Sequence, residues 1–418
     1  MHLLFLSATF ADADHPAQGS YNVALCRALA LEHRVTAVSP RGWSSVMRNM
    51  LRRQKFQPSP ACSAARIDCH YPTYWYTPGF RHARHGAAMW RSVKRTVRRI
   101  HEAQPIDAVL SYWAHPDGEA GLRAARHAGV PHAVIVGGSD VLLLPQQPDR
   151  RDAVRRVLCE SDAVITVSDG LREAVIAQGV EPGRVHTIYQ GVDVDQYHPG
   201  DRQAARQRLG LPAERAILLW VGRMVEVKRL DVLIAACAKL SGTSLDFELC
   251  LAGDGPLRPD IERAIGDAGL SERVRFLGSV RHEQLPDWYR AADATVLSSR
   301  SEGLPNVLRE SLACGTPFAS TDVGSIAEIA DPAWSRLAPA NDASALAEAI
   351  AAVLQPDFRD AAAKYRARTW SACAADVVRL FDQLCDARTE RQPQRPHSDS
   401  SRQKTGPSVQ LASLESAH

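Results

Sequence analysis

Short apolar runs alternate with amphipathic stretches twice along this chain. Such runs predict buried parallel strands, because strands covered on both faces are apolar throughout. In the first half, the predicted strands are residues 3–7, 35–39, 108–112, 133–136, 163–167 and 185–189. In the second half, they are residues 216–221, 248–252, 274–277, 294–298 and 318–321. Helical stretches separate these strands, so the alternation predicts an α/β protein.

The length of 418 residues predicts two domains, because one ordinary core does not grow that large. The polar stretch 190–210 separates the two series of strands and favours two Rossmann-like halves. An eight-fold barrel stays an alternative on the number of strands. Residues 387–418 are rich in Ser, Gln, Arg and Pro and lack an apolar period, which predicts a disordered tail.

Composition narrows the class of protein. Apolar residues make up 45% of the chain, charged residues 23%, and the net charge is +3, as in a soluble globular protein. No apolar run reaches the length of a membrane span. The nine cysteines form no CxxC pair, which favours a reducing, cytoplasmic environment over a disulfide framework or a zinc site.

Two carboxylates eight residues apart mark the most informative segment, 300–317, which reads RSEGLPNVLRESLACGTP. Glu302 follows a predicted strand, and open α/β sheets bind ligands at that edge. Glu310 lies on the helix that follows. The main-chain N–H groups of Gly303 and Leu304 are placed to face an anion. Because two Glu at this spacing also occur by chance, the interpretation depends on the surrounding residues.

The whole segment resembles the E-x7-E signature of the retaining glycosyltransferases of family 4. The resemblance implies the GT-B fold, in which two Rossmann-like domains face a central cleft. It also implies that Glu302 approaches the donor sugar, that Glu310 binds the nucleotide ribose, and that the amides of Gly303 and Leu304 hold the diphosphate. The last helix would cross back, giving an acceptor-side domain of residues 1–195 plus 369–386 and a donor-binding domain of residues 196–368.

Two cations follow the first strand of the second half. Arg223 and Lys228, beside Gly222, suit a diphosphate leaving group because fixed positive charge stabilises the developing negative charge. The alternative is a surface Arg and Lys at a helix start. The family resemblance favours the first interpretation and assigns these cations to the diphosphate.

Other turns resemble nucleotide-side loops of the family. Gly253 and Gly278 end two further strands, and the resemblance implies main-chain contacts with the nucleotide there. Ser325 and Glu328 resemble a loop at the back of the donor site. They fit a helix N-cap and capping box equally well.

The first half carries the acceptor-side candidates. Gly19 opens a helix where family members often have two glycines. Tyr112 stands at the register position where many relatives place a His that acts on the acceptor side, and His115 lies three residues later. Asp140 resembles an acceptor-binding residue of the family, although it suits a helix cap as well.

The stretch 81–100 contains seven Lys or Arg and neither Asp nor Glu, while Trp90, Val93, Val97 and Ile100 recur at helical spacing. This pattern suits a helix on an anionic membrane surface, at the inner face of the cell membrane. It suits an ordinary helix with a solvated basic side equally well. We expect no nucleic-acid binding, because no RNA-binding motif is present.

The resemblance implies a retaining enzyme that moves a sugar from a nucleotide-diphosphate sugar to a hydroxyl. Given the basic stretch, we expect the acceptor to be a lipid-linked glycan in polysaccharide or cell-envelope glycan synthesis. No metal or other cofactor is expected, since two cations replace it. A sugar-nucleotide epimerase and a non-catalytic sugar-nucleotide-binding protein are the alternatives. A nicotinamide-dependent oxidoreductase is disfavoured, because no G-x-G-x-x-G follows residues 3–7.

Overall fold

A computed structural model describes residues 1–391 except 17, 52 and 54. The strands of the described part are β1 (His2–Leu6), β2 (Arg34–Val38), β3 (Arg41–Gly42), β4 (Asp68–His70), β5 (Thr73–Tyr74), β6 (Ala108–Tyr112), β7 (His132–Val136), β8 (Ala163–Thr166), β9 (Val185–Thr187), β10 (Ala216–Val221), β11 (Phe247–Ala252), β12 (Val274–Gly278), β13 (Ala294–Leu297), β14 (Phe318–Thr321) and β15 (Ser335–Ala338).

Two open parallel sheets organise these strands. The first has the order β4-β2-β1-β6-β7-β8-β9 and the second the order β12-β11-β10-β13-β14-β15. In both sheets the strand order reverses beside the first strand, which is where doubly wound folds bind ligands. The α/β prediction with two Rossmann-like halves is confirmed, and the barrel alternative is wrong. Strands β3 and β5 form a separate small sheet.

Helices cover both faces of each sheet. They are α1 (Ser20–Leu29), α2 (Trp43–Leu51), α3 (Pro60–Ala64), α4 (His85–Ala103), α5 (Glu119–Ala128), α6 (Ser139–Leu142), α7 (Pro148–Glu160), α8 (Asp169–Ala177), α9 (Arg202–Leu209), α10 (Leu230–Ser241), α11 (Arg258–Asp267), α12 (Leu285–Ala291), α13 (Asn306–Ala313), α14 (Ala343–Val353), α15 (Pro356–Ala362) and α16 (Trp370–Arg391). Within the described residues, no helix is both long and apolar enough to cross a membrane.

The connection between the sheets is more ordered than a polar linker. Helix α9 lies within residues 190–210. Its N-cap is Asp201, whose carboxylate accepts a hydrogen bond from the main-chain N–H of Ala204. Ala205 and Arg206 on this helix are buried, and α9 packs against α12 of the second half. The polar stretch 190–210 therefore contains a short helix with one buried side.

Helix α16 returns to the first half. Its residues Cys373, Val377 and Phe381 belong to the core of the first sheet, and it packs against α1. Because α16 continues to Arg391, residues 387–391 are helical rather than part of a disordered tail. The rest of that predicted tail, 392–418, lies outside the described residues. The domain boundaries near 195 and 369 stay predictions.

The apolar side of the basic stretch 81–100 is buried. Val93, Val97 and Ile100 on α4 pack with Met89 into the core beneath the first sheet. Its Lys and Arg side chains face solvent. The apolar stripe is therefore not available to a bilayer, which corrects the membrane interpretation of this stretch.

Three glycines bring the ends of β10, β11 and β12 together. Gly253 has φ of 140°, and its N–H donates to the carbonyl of Gly278 at 2.7 Å. A Cβ at position 253 would lie 1.8 Å from the carbonyl oxygen of Gly222. Only glycine satisfies both the backbone angle and this contact.

We predict that Gly253→Ala lowers the free energy of unfolding by at least about 2 kcal/mol, because the Cβ meets main chain that cannot swing aside. Gly266→Ala is the matched control, since a Cβ there has no neighbour within 4 Å. This helical change is expected to be neutral or stabilising by up to about 1 kcal/mol. Urea unfolding measures both, and equal stability of the two variants would contradict the argument.

Candidate active site

Glu302 and Lys228 form an ion pair at the carboxyl edge of the second sheet. The Lys228 Nζ lies 2.5 Å from Glu302 Oε1, and Ser299 donates its hydroxyl to the same oxygen at 2.6 Å. Glu302 follows β13 and Lys228 follows β10, and these strands are neighbours. The sequence predicted both residues, but in separate roles. Their direct contact was not predicted, because it depends on strand pairing.

Arg223 supplies a second cation at this edge. Its side chain is exposed just after β10. Within the described part of the chain, no acidic side chain lies within 4 Å of Arg223 to form an ion pair. Lys228 is neutralised by Glu302, whereas the charge of Arg223 is available to a ligand.

Glu310 lies on α13 and lines a cavity between the two halves. Tyr289 donates its hydroxyl to Glu310 Oε2 at 3.0 Å. Burial raises the pKa of Glu310, and the hydrogen bond from Tyr289 opposes that shift. The other carboxylate oxygen has no side-chain donor within hydrogen-bond distance among the described residues, so it can accept a ligand hydroxyl.

The cavity measures about 640 Å³, within the range of small-molecule sites. Its first-half wall includes Ser20 and Tyr21 at the start of α1. Its second-half wall includes His282 and Glu310, and Trp370 of α16 contributes as well. Both halves therefore build the site.

The loop after Glu302 touches the first half. A Cβ at Gly303 would lie 2.5 Å from the carbonyl oxygen of Gly137. The side chain of Leu304 is buried against the first core. Within the described residues, the N–H groups of Gly303 and Leu304 have no hydrogen-bond acceptor. These two amides are thus available to an anion, and their role in holding the diphosphate stays a prediction.

Gly19 stands at the start of α1 with φ of 64°. A Cβ there would lie 2.4 Å from the carbonyl oxygen of Thr9, on the loop after β1. Asn22 donates its side-chain amide to that oxygen at 2.7 Å. The glycine therefore brings the first turn of α1 against the β1 loop and beside the cavity.

Tyr112 and His115 are buried rather than exposed to the cleft. Tyr112 is 5% exposed, and its ring lies 5.0 Å from that of Tyr21. His115 is fully buried; its Nε2 accepts from the N–H of Gly86 at 3.3 Å and lies 3.5 Å from a Glu119 oxygen. Neither side chain lines the cavity, so the structure does not support direct acceptor contact.

Asp140 is buried as well. Its carboxylate accepts hydrogen bonds from the N–H groups of Gly137, Gly138 and Ala114 at 3.1, 2.9 and 3.0 Å. Burial raises the pKa of Asp140 to about 6, although these N–H groups lower it. Asp140 lies in the first turn of α6, whose N-cap is Gly138, so its carboxylate fastens the preceding loop and is not the helix cap. Its side chain is fully buried in this structure. The position of Asp140 at a strand end was predicted correctly. The direction of its side chain depends on loops from other strands, which the sequence does not place.

Sequence reasoning missed several residues that support the site. Asp117 is buried, accepts a hydrogen bond from the N–H of Ala8, and has its pKa raised to about 7 by burial. Its Pro-Asp-Gly context indicates only a turn. Tyr289 was indistinguishable from an ordinary apolar helix residue, and Ser299 had no motif of its own.

Glu328 joins the two halves. Its carboxylate accepts from the N–H groups of Asp169 and Gly170 at 2.9 and 2.8 Å, and from the hydroxyl of Tyr189 at 2.8 Å. Glu328 follows β14, whereas Asp169 begins α8 of the first half. A carboxylate at a helix N-terminus is stabilising. Glu328 therefore caps a helix of the opposite half, not its own helix.

Two Rossmann-like units whose strand ends face one cleft, with a Glu pair and two cations on one side, define a GT-B glycosyltransferase. Residues 18–196 match the family model for Glycosyltransferase Family 4, and residues 201–370 match that for Glycosyl transferases group 1. The chain belongs to glycosyltransferase family 4 and is a glycosyltransferase. The predicted family resemblance is confirmed.

Relatives agree with this family. The chain is 34% identical over 312 residues to D-inositol 3-phosphate glycosyltransferase 2 of Catenulispora acidiphila, covering 68% of this chain and 72% of that protein. It is 33% identical over 309 residues to D-inositol 3-phosphate glycosyltransferase of Streptosporangium roseum, covering 68% of this chain and 70% of that protein.

Solved structures agree with the fold. Sucrose-phosphate synthase of Thermosynechococcus elongatus has a TM-score of 0.75 at 22% identity, covering 92% of this chain and 99% of that chain. HepE of Anabaena, solved in complex with UDP and glucose, has a TM-score of 0.66 at 19% identity, covering 94% of this chain and 99% of that chain.

We predict that Glu328→Ala weakens the contact between the halves by about 1–2 kcal/mol, since exposed hydrogen bonds to a carboxylate contribute modestly. Small-angle X-ray scattering should show a larger radius of gyration. Glu348→Ala removes an exposed Glu on α14 without touching the interface and is the matched control. Unchanged scattering from the Glu328 variant would contradict a closing role.

Proposed function

We propose that the protein moves a sugar, with retention of configuration, from a nucleoside diphosphate sugar in the cleft to a hydroxyl acceptor. The observation that carries this proposal is the Lys228–Glu302 pair at the edge where the two halves meet. Arg223, which has no acidic partner among the described residues, and the amides of Gly303 and Leu304 lie on the same edge. The pattern fits a sugar held at one carboxylate and a diphosphate held by cations and main-chain donors.

In this proposal, different residues of the site bind different parts of the donor. Glu310, with one oxygen already held by Tyr289, binds the ribose hydroxyls from the cavity wall. Arg223 and Lys228 bind the diphosphate. HepE, of the same fold, has been solved with UDP-glucose, which supports a nucleotide sugar as the donor substrate. In this proposal the two cations make a metal or other cofactor unnecessary.

The transfer step is a same-face substitution. The bond between the anomeric carbon and the diphosphate oxygen breaks as the bond to the acceptor oxygen forms. The acceptor proton passes to the leaving phosphate oxygen, and the nucleoside diphosphate carries away the electron pair. Arg223 and Lys228 stabilise the charge that develops on this leaving group. Glu302 orients the sugar.

The proposed acceptor is a lipid-linked glycan at the inner face of the membrane, in polysaccharide or cell-envelope glycan synthesis. The segment 33–101 of the acceptor-side half supports it, with fourteen Lys and Arg against a single acid. The relatives are named for D-inositol 3-phosphate, so a phosphorylated polyol is the second candidate acceptor. The negative charge of its phosphate fits the same basic segment.

A panel of nucleotide sugars tests the reaction class. We expect one donor to give nucleoside diphosphate when a lipid-linked glycan or D-inositol 3-phosphate is added, with the product keeping the donor's anomeric configuration by NMR. An epimerised nucleotide sugar formed without acceptor would identify an epimerase. Donor binding without turnover would identify a binding protein, and either result would overturn the proposal.

We predict that Lys228→Ala lowers kcat by about 10²–10³, the usual effect of removing one group that stabilises developing charge. Arg223→Ala should act in the same direction. Arg229→Ala is the matched control, because Arg229 pairs with Asp231 away from the Glu302 edge. Nucleoside diphosphate release measures activity, and circular dichroism checks folding. Full activity of a folded Lys228 variant would refute the assignment.

A further inference from the structure

Positive charge is concentrated in one part of the sequence. Residues 33–101 contain fourteen Lys and Arg and a single acid, Asp68, although the whole chain has a net charge of only +3. This segment forms one edge of the first half, with strands β2 to β5 and helices α2 to α4. That edge is far more basic than the rest of the molecule.

Helix α2 on this edge exposes its apolar side chains. None of its residues is buried, and Met47, Met50 and Leu51 are 51%, 69% and 86% exposed. Trp75, whose ring stacks on that of Trp43 in this helix, is 63% exposed, and Phe80, five residues later, is 57% exposed. A helix in water normally buries its apolar side, so this cluster marks an interaction surface.

Aromatic stacking fixes this surface. The rings of Trp43 and Trp75 are parallel within 3° at 6.4 Å, and Trp43 donates its indole N–H to the carbonyl of Tyr76 at 2.9 Å. The main-chain N–H of Trp75 donates to the hydroxyl of Ser92 on α4 at 3.2 Å. Strand β5 and the residues that follow it therefore connect α2 to α4.

The cations around the apolar cluster are exposed. They include Arg48, Arg53, Lys55 and Arg81. Within the part of the chain that the structure describes, none of them has an acidic oxygen within 4 Å. Their charge is therefore directed to solvent and to any anionic partner.

We propose that the surface formed by residues 43–51, 53, 55 and 75–84, here the docking surface, binds an anionic lipid bilayer. Exposed Met, Leu, Trp and Phe side chains enter the boundary between headgroups and acyl chains, and the surrounding Arg and Lys pair with anionic headgroups. A nucleic acid would use the charge but leave the apolar side chains in water. The docking surface is distinct from the stripe on α4, whose apolar side is buried.

The docking surface adjoins the cleft. The chain that leaves it returns to the cavity at Ser59, Pro60 and Ala61, which line the first-half wall. Docking therefore places the cavity beside the headgroups, where a lipid-linked hydroxyl is presented. The proposal deepens the acceptor part of the proposed function and rests on it. Vesicle binding requires no donor substrate. If the protein failed to bind vesicles, the proposed transfer reaction would therefore be unaffected.

Co-sedimentation with vesicles tests the docking surface. The full-length protein should sediment with an equal mixture of phosphatidylcholine and phosphatidylglycerol at low salt, less at high salt, and poorly with phosphatidylcholine alone. Replacing Met47, Met50 and Leu51 together by Ser should weaken this binding by about tenfold or more. These residues are exposed already, so the fold should survive.

Leu31→Ser is the matched control, because Leu31 is 75% exposed but lies outside the docking surface. It should bind vesicles like the unaltered protein. Both variants should release nucleoside diphosphate normally with D-inositol 3-phosphate or another water-soluble acceptor. Absence of sedimentation at low salt would overturn the proposal. Unchanged vesicle binding by the triple variant would overturn it as well. Such a result would mean that positive charge alone attracts the protein to the vesicle, as it would to any polyanion.

Discussion

Main-chain contact between glycines sets the position of Glu302. A Cβ at Gly324 would lie 1.8 Å from the carbonyl oxygen of Glu302, and one at Gly303 would lie 2.5 Å from that of Gly137. The N–H of Ser325 donates to the carbonyl of Gly303 at 3.1 Å. The loop is thus held by its own half on one side and by the opposite half on the other. A side chain at Gly303 would push the halves apart, and one at Gly324 would move the main chain that carries the Glu302 carboxylate.

The Glu302 carboxylate, which this loop positions, also forms an ion pair with Lys228. Glu302 is 11% and Lys228 20% exposed, so each charge is partly removed from water and gains from the other. In the proposed reaction, the donor diphosphate competes with Glu302 for Lys228. Its arrival would free the carboxylate for sugar hydroxyls. Arg223, which forms no ion pair within the described part of the chain, would meet the diphosphate first and lower the cost of breaking the pair.

The sequence predicted the strands well, because apolar period and residue preference are local properties. It missed β15, which has Arg336 at its centre, and β4, which is only three residues long. The Glu302 motif was found because its residues are close in sequence. The pairing with Lys228 was not found, because β10 and β13 become neighbours only in the folded sheet.

The burial of three acceptor-side candidates was not predicted, for a related reason. Tyr112, His115 and Asp140 were placed at the correct edge by strand register. Whether a side chain at that edge points into the cleft or under a loop depends on packing between several strand ends. The Glu328 contact shows the same limit, since the helix that it caps is 158 or more residues away in sequence.

The Glu328 contact and the docking surface can act independently of each other. Every docking residue lies before residue 104, whereas Glu328 belongs to the second half. A bilayer holding the first half would therefore leave the Glu328 contact free to break and reform. The second half could exchange spent nucleotide for fresh donor while the first half stays on the membrane. Membrane residence and donor exchange would then proceed independently, as an enzyme that elongates a lipid-linked chain requires.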